Sequence, residues 1–332
     1  MSRTRSIRRQ MDHMLREAHQ RGGSKRSAKF DNQMANHIYG DKHFEALEDA
    51  AHRLAAFLET KGVKMLYQVK AEHIKGYLDM RAKTCGPESM KKEISYVRKL
   101  ESLAQFVYKR SNIDWGTKEI KSAAYEEKAA KPKFEKNRVI DRDTATKIAE
   151  NIKKFTKTNT WKAVLASQCL GTRVDECSRV RIENFQFRPE KGDACNIYGF
   201  GYYKLPKGGH AKGDRARGIP IHSKEDRELL QTLCSGRTSG YLIENMRKPG
   251  EPVSAEAINK QFRDALKRLG LYEEYKGNAL HAVRKNFAQE VYDFEKGKGK
   301  NKREAMDATQ NQLGHGKGRN QRLQDTYIHN QW

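Results

Sequence analysis

The sequence predicts a mainly α-helical protein with one small β-sheet, divided into two domains. Apolar residues recur at steps of three and four along most of the chain, the signature of one-sided helices. A single stretch, CNIYGFGYYKL followed by PKGGHAKGD and RARGIPI, reads instead as strand, glycine-rich turn and strand. The 332 residues also exceed the roughly 250 at which a single core stops growing.

Residues 1–30 form a basic arm in which Arg and Lys far outnumber the two acids, Asp12 and Glu17. It has a helical register from Ile7 to about His19, and a solvated tail is the alternative. Residues 31–125 form a helical domain. Its first helix carries Phe44, Leu47, Ala51, Leu54 and Leu58 on one face. The second, KAEHIKGYLDMR, has Ile74, Tyr77 and Leu78. The third, SMKKEISYVRKLESLAQFVYK, repeats Ile94, Val97, Leu100, Leu103 and Phe106. Outward Lys and Arg on such helices suit phosphate contacts that read no base.

Residues 126–138 are charged, poor in apolar side chains and interrupted by Pro132, which predicts a linker. Residues 139–332 form the second domain. Asp141 or Asp143 caps a helix striped by Ile148, Ile152 and Phe155. TWKAVLASQCL is a helix that stops at Gly171. After the hairpin the pattern is helical again in KEDRELLQTLC, AEAINKQFRDALKRLG, HAVRKNFAQEVY and EAMDATQNQLG. No repeat of solenoid period occurs.

Lys and Arg outnumber Asp and Glu by 66 to 42, a net charge of +24. Such an excess repels other copies and attracts polyanions, so DNA or RNA heads the candidate partners, with an anionic membrane surface as competitor. No run of about 18 apolar residues suggests a membrane span, and MSRTRSIRRQ lacks the apolar core of a signal peptide. Five scattered cysteines, Cys85, Cys169, Cys177, Cys195 and Cys234, include no CxxC pair. That argues for reduced thiols in a cytosol and against a zinc site or disulfide framework. There is no GxxxxGK[ST] loop and no carboxylate cluster of the two-metal kind, so no cofactor or metal is expected. No aromatic strand motif of an RNA-binding domain is present.

Four segments of the second domain hold polar residues that packing explains poorly. In LGTRVDEC, Arg173 follows the helix-ending Gly171, where its five donors can fork onto a phosphate. In HAVRK, His281 and Arg284 lie three apart and share a helix face. In QLGHGKG, His315 follows a glycine suited to a helix end. In DTYIH stands Tyr327. Singly, each reads as an ordinary surface, structural or packing residue.

In this order the segments resemble the tyrosine recombinase (phage integrase) family, whose catalytic domain shows an arginine in a GxRxxE context, a hairpin lysine, HxxR, LGH and a terminal tyrosine. Here these are GTRVDE, AKGDRARGIPI, HAVR, LGH and TYIH. The resemblance covers residues 139–330, and the helices of residues 40–110 look more loosely like the family's core-DNA-binding domain. It implies a helical N-terminal domain and a mixed α/β catalytic domain. Arg173 and Arg284 would grip the scissile phosphate, His315 would hydrogen-bond it, and Tyr327 would attack. His281 would position the phosphate or manage the nucleophile's proton. Lys212 would protonate the leaving 5′ oxygen, with Lys204 and Lys207 as other hairpin lysines. Glu176 would orient Arg173 or the helices.

The implied activity is site-specific recombination through a 3′ phosphotyrosyl intermediate and a Holliday junction. Implied partners are double-stranded DNA recombination sites, a homotetramer formed on them, and accessory DNA-bending or directionality proteins, in a cytoplasmic, nucleoid-associated setting without a membrane. Relaxation of DNA in the manner of a type IB topoisomerase, or a catalytically idle DNA-binding protein of the same fold, are the alternatives. Tyr327 lies twelve positions beyond His315, a longer tether than the family usually has. Tyr272 and Tyr292 precede LGH and so lack the family's position.

Overall fold

The computed structural model describes residues 6–23, 37–110, 112–130, 138–206, 216–315, 324 and 326–328. The chain divides into two compact units, Met1–Lys133 and Phe134–Trp332. It is mainly helical, with one three-stranded antiparallel sheet.

The first unit is built from α1 (Ile7–Ala18), α2 (Asp41–Thr60), α3 (Ala71–Ala82), α4 (Pro87–Tyr108) and α5 (Ser122–Glu127). The segment expected as a basic arm contributes α1 to the core. Ile7, Met11, Met14, Leu15 and Ala18 are all buried in it, while Arg8, Arg9 and Arg16 face outward. Ser6 caps the helix by accepting from the Arg9 amide. Gln10 then fastens it, donating to the Lys64 carbonyl at 2.8 Å and accepting from the Leu66 amide at 3.3 Å. One apolar stripe outweighed the basic composition because the positive residues occupy the other face of the same turns.

Two buried carboxylates stiffen this unit from α4. Glu93 accepts from Arg53 at 3.0 Å and from Tyr77. Glu101 accepts from the Trp115 amide at 2.5 Å and from Thr117. Phe106, expected on the apolar stripe of α4, is instead 41% exposed and meets the His37 ring edge-on. It lies two residues from the end of α4, where the partner helices no longer cover that face.

The second unit contains α6 (Arg142–Phe155), α7 (Thr160–Leu170), α8 (Val174–Ser178), β1 (Phe185–Gln186), β2 (Tyr202–Leu205) and β3 (Arg217–Pro220). After these come α9 (Lys224–Cys234), α10 (Ala255–Arg268), α11 (Tyr272–Tyr275), α12 (His281–Gly297) and α13 (Lys302–Leu313). Asp141 is the cap of α6, accepting from the Thr144 amide at 2.7 Å. Asn301 and Glu304 form a reciprocal capping box on α13, each bond 3.0 Å long. Ile148, Ile152, Val164, Leu170, Phe262, Val283 and Val291 are buried at the centre. Phe155 does not join them: it is 57% exposed at the last turn of α6, under the Arg268 guanidinium.

The strand expected over CNIYGFGYYKL is shorter, its expected partner in RARGIPI is β3, and the third strand, β1, was not foreseen. Residues 195–201 form turns, with Gly201 at φ +99°, and pairing begins at Tyr202. β2 pairs with β1 in the register Phe185–Tyr203 and with β3 in the register Tyr203–Ile219 and Leu205–Arg217. Tyr203 and Leu205 face the core and Lys204 faces solvent, the alternation that a half-buried strand requires. Among the described residues no helix is long and apolar enough to cross a membrane.

Candidate active site

Gly171 ends α7 in the left-handed conformation, at φ +54°. A Cβ there would lie 2.1 Å from the Phe287 ring, so only glycine lets α12 pass this close. The close approach has a purpose visible one turn away. Arg284, also on α12 and fully buried, donates to the Gly171 carbonyl, and its other terminal nitrogen donates to the Leu313 carbonyl at 2.8 Å. One guanidinium thereby closes the ends of α7 and α13 together. Gly171→Ala combines a left-handed backbone penalty of about 1–2 kcal/mol with overpacking of about 1–3 kcal/mol. The expected result is a fall in melting temperature of roughly 10 °C in calorimetry. Adding Phe287→Leu restores part of it, because that relieves the clash and not the backbone.

Two residues after Gly171, Arg173 precedes α8 with extended backbone. Its side chain reaches Glu176 at 2.8 Å, and its amide donates to the other carboxylate oxygen of Glu176 at 3.0 Å. Glu176 is fully buried and receives a second arginine, Arg217 of β3, at 3.0 and 3.4 Å; Arg284 stands 3.7 Å away. Burial pushes the carboxyl up, and the guanidiniums of Arg217 and Arg284 more than reverse that, leaving it below its ordinary value. Three guanidiniums around one carboxylate leave the cluster with excess positive charge.

His281, the first residue of α12, is three residues before Arg284. The residue is exposed at the start of the helix. Crowding by neighbouring atoms, and then repulsion from Arg284, Lys285 and Arg173, pull the pKa of its imidazole down to about 4. The ring is neutral at pH 7. Burial likewise pulls the Arg284 guanidinium down to about 10, so it stays charged near neutrality. His315 follows Gly314, the left-handed cap of α13, and is half-buried. Tyr327 is buried with its ring edge-on to both imidazoles, 5.3 Å from each centroid, and 5.9 Å from the Arg284 guanidinium.

The sequence candidates Arg173, His281, Arg284, His315 and Tyr327 are thus brought into one cluster from four segments of chain. Lys207 and Lys212 lie outside the described residues, and Lys204 is exposed on β2. Tyr292 is buried in the core, and Tyr272 lies under Lys267 and Lys276. Arg217 was not among the sequence candidates. Its one signal was position: it opens the returning strand, where an apolar residue would have fitted the core.

The end of α13 is held by a polar network. Gln312 donates to the Tyr198 hydroxyl at 2.6 Å and bonds His222 at 2.8 Å, while Tyr198 donates to Glu295 of α12. His315 begins three residues beyond this anchor.

The protonation of the cluster sets a pH dependence. Unfolded His281 takes a proton near pH 6.5, and folded His281 only near pH 4, so acid favours the unfolded chain. Glu176, held below its ordinary value, also loses its stabilising charge as pH falls. Melting temperature should therefore fall from pH 6.5 toward pH 4. His281→Gln should flatten the upper part of that slope in calorimetry, and an unchanged slope would refute the assignment.

No protein-family model matches the chain, and no curated protein matches it in sequence. Solved structures do match in fold. A lambda integrase tetramer bound to a Holliday junction is similar at 14% identity, over 100% of this chain and 80% of that one, with TM-score 0.59. The XerH site-specific recombinase bound to a palindromic difH substrate, in a post-cleavage complex, aligns at 15% identity over 88% and 77%, with TM-score 0.57. The Tn1549 transposon integrase in complex with transposon right-end DNA aligns at 15% identity over 99% and 96%, with TM-score 0.59. The fold of this chain is that of the tyrosine recombinases.

Proposed function

We propose that the protein is a site-specific DNA recombinase that cuts and rejoins DNA through a phosphotyrosyl intermediate on Tyr327. The observation that carries this reading is the seating of a buried tyrosine against His281, His315 and Arg284, in the cluster that also holds Arg173. A phosphodiester is anionic and gains charge on its equatorial oxygens during displacement. Arg173 and Arg284 supply fixed positive charge there, the logic of an oxyanion hole. His315 donates a hydrogen bond to the same phosphate.

In the first step the Tyr327 oxygen bonds to phosphorus and the P–O5′ bond breaks. The bound phosphate anion offsets the cations that oppose protonation of His281, so that its ring can accept the tyrosine proton; a free phenol near pKa 10 is otherwise protonated at pH 7. The leaving 5′ oxygen takes a proton from Lys212, which lies in sequence between β2 and β3. A 5′ hydroxyl of a second duplex then attacks the phosphotyrosyl bond, restoring Tyr327 and exchanging strands without an external energy source. Repetition on the other strand passes through a Holliday junction, in a tetramer assembled on DNA. The lambda integrase structure described above is such an assembly. Residues 31–125 serve as a second clamp on the duplex, and the net charge of +24 on the whole chain favours a polyanionic partner.

The test is capture on nicked DNA. A pool of randomised duplexes, each nicked close to the centre, is incubated with the protein and resolved on a denaturing gel. Wild-type protein is expected to yield a covalent adduct whose DNA, once sequenced, defines the site and whose peptide carries Tyr327. Absence of an adduct, or attachment to another residue, sinks the reading. Strand exchange between two captured sites separates recombination from relaxation of any supercoiled circle.

A further inference from the structure

We propose that Arg217 is a positioning residue that occupies Glu176 and so keeps Arg284 available to an anion. The proposal rests on the reading of the cluster as a DNA-cleavage site and adds a residue that the reading does not use. Arg217 donates two bonds to Glu176, one to each oxygen, and its side chain is only 10% exposed. The same Oε2 that takes the 3.0 Å bond from Arg217 lies 3.7 Å from Arg284. Arg284 is therefore one short movement from an ion pair with Glu176.

Were Arg217 absent, that oxygen would be buried with only the Arg173 amide as close donor. An underpaired buried carboxylate draws the nearest cation strongly. Arg284 would swing toward it, abandon the carbonyls of Gly171 and Leu313, and spend on Glu176 the charge meant for a phosphate.

Two further features place Arg217 as a joint rather than an isolated ion pair. It is the first residue of β3, at the end of the stretch of sequence between β2 and β3 that includes Lys212. Its guanidinium also lies close against Gly314: a Cβ there would fall 2.5 Å from Nη1 and 2.7 Å from Cζ. Gly314 is followed directly by His315. One side chain thus touches Glu176, which holds Arg173 and stands beside Arg284, and Gly314, which precedes His315.

The experiment compares Arg217→Met, Arg217→Lys, Glu176→Gln and the double variant Arg217→Met with Glu176→Gln. Each is scored for single-turnover adduct formation on the captured site and for melting temperature. Arg217→Met should slow attachment about 100-fold, the cost of moving a reacting group by about 1 Å, and Arg217→Lys should recover part of it. The double variant should be faster than Arg217→Met alone, because a neutral glutamine no longer draws Arg284. A double variant as slow as the product of the two single losses would overturn the proposal, and so would an Arg217→Met rate equal to wild type. A second arm needs no activity: a 13C titration of the Glu176 carboxyl. Its midpoint should lie below the ordinary value in wild type and rise in Arg217→Met. If wild type forms no adduct the cleavage reading falls, and an unmoved midpoint then overturns the role of Arg217 by itself.

Discussion

Tyr327→Phe is expected to fold as the parent chain does, melt at the same temperature, hold DNA without covalent attachment, and form no adduct. The geometry makes the substitution clean. The Tyr327 contacts described here are ring contacts, edge-on to His281 and His315 and under the Arg284 guanidinium. A phenylalanine ring reproduces them and keeps the residue buried. What disappears is one oxygen. Losses of the nucleophile in covalent catalysis run to about 10⁶-fold, so attachment should fall at least about 10⁴-fold, below detection on a denaturing gel. Retention of DNA on a filter at low salt should persist, because every cation of the cluster remains. An adduct surviving in Tyr327→Phe would move the nucleophile elsewhere in the chain.

Arg284→Lys should be nearly as severe, and for a different reason. Lysine keeps the charge and loses the planar fork. The two carbonyls that Arg284 holds, at Gly171 and Leu313, cannot both be reached by one ammonium in the same geometry. Two consequences follow together. Single-turnover attachment should drop about 10²- to 10³-fold, the cost of removing a preorganised donor from developing charge. Stability should also fall by about 3–5 kcal/mol, as for breaking a buried charged contact. Measuring both in one variant separates this site from a surface arginine, which would show neither. Wild-type rates with a lowered melting temperature would reduce Arg284 to a structural brace.

Much of the helical architecture was legible in the sequence because one-sided helices advertise themselves. The stripes through Leu47, Leu54 and Leu58, or through Ile148 and Ile152, bury as their spacing demands. The failures sit at ends. Phe106 and Phe155 keep the period and lose the cover, since a stripe says which face is apolar and not how far the neighbouring helix extends. β1 escaped notice because two residues carry no alternation. β2 shrank because a run of β-formers cannot show where positive-φ glycines turn the chain.

The cluster was legible as an ordered set of motifs, and its physical basis was not. Nothing in GTRVDE says that Gly171 is pressed against Phe287, or that Glu176 gathers three arginines. Contacts between residues forty to over a hundred positions apart leave no local trace. Arg217 shows this most clearly, since in RARGIPI it reads as one more charge at the edge of a strand.

Two net positive charges at the heart of a folded unit are an internal pressure. Arg173, Arg217 and Arg284 repel one another, and Glu176 cancels only one of them. In thermodynamic terms an anion seated among them is a missing piece of the core as much as a ligand. Whatever binds there and not to the unfolded chain raises stability by mass action. Inorganic phosphate or vanadate should therefore tighten the second unit before any duplex is present. An anion at these three guanidiniums would then act as part of the fold, offsetting the repulsion that Glu176 alone leaves uncancelled.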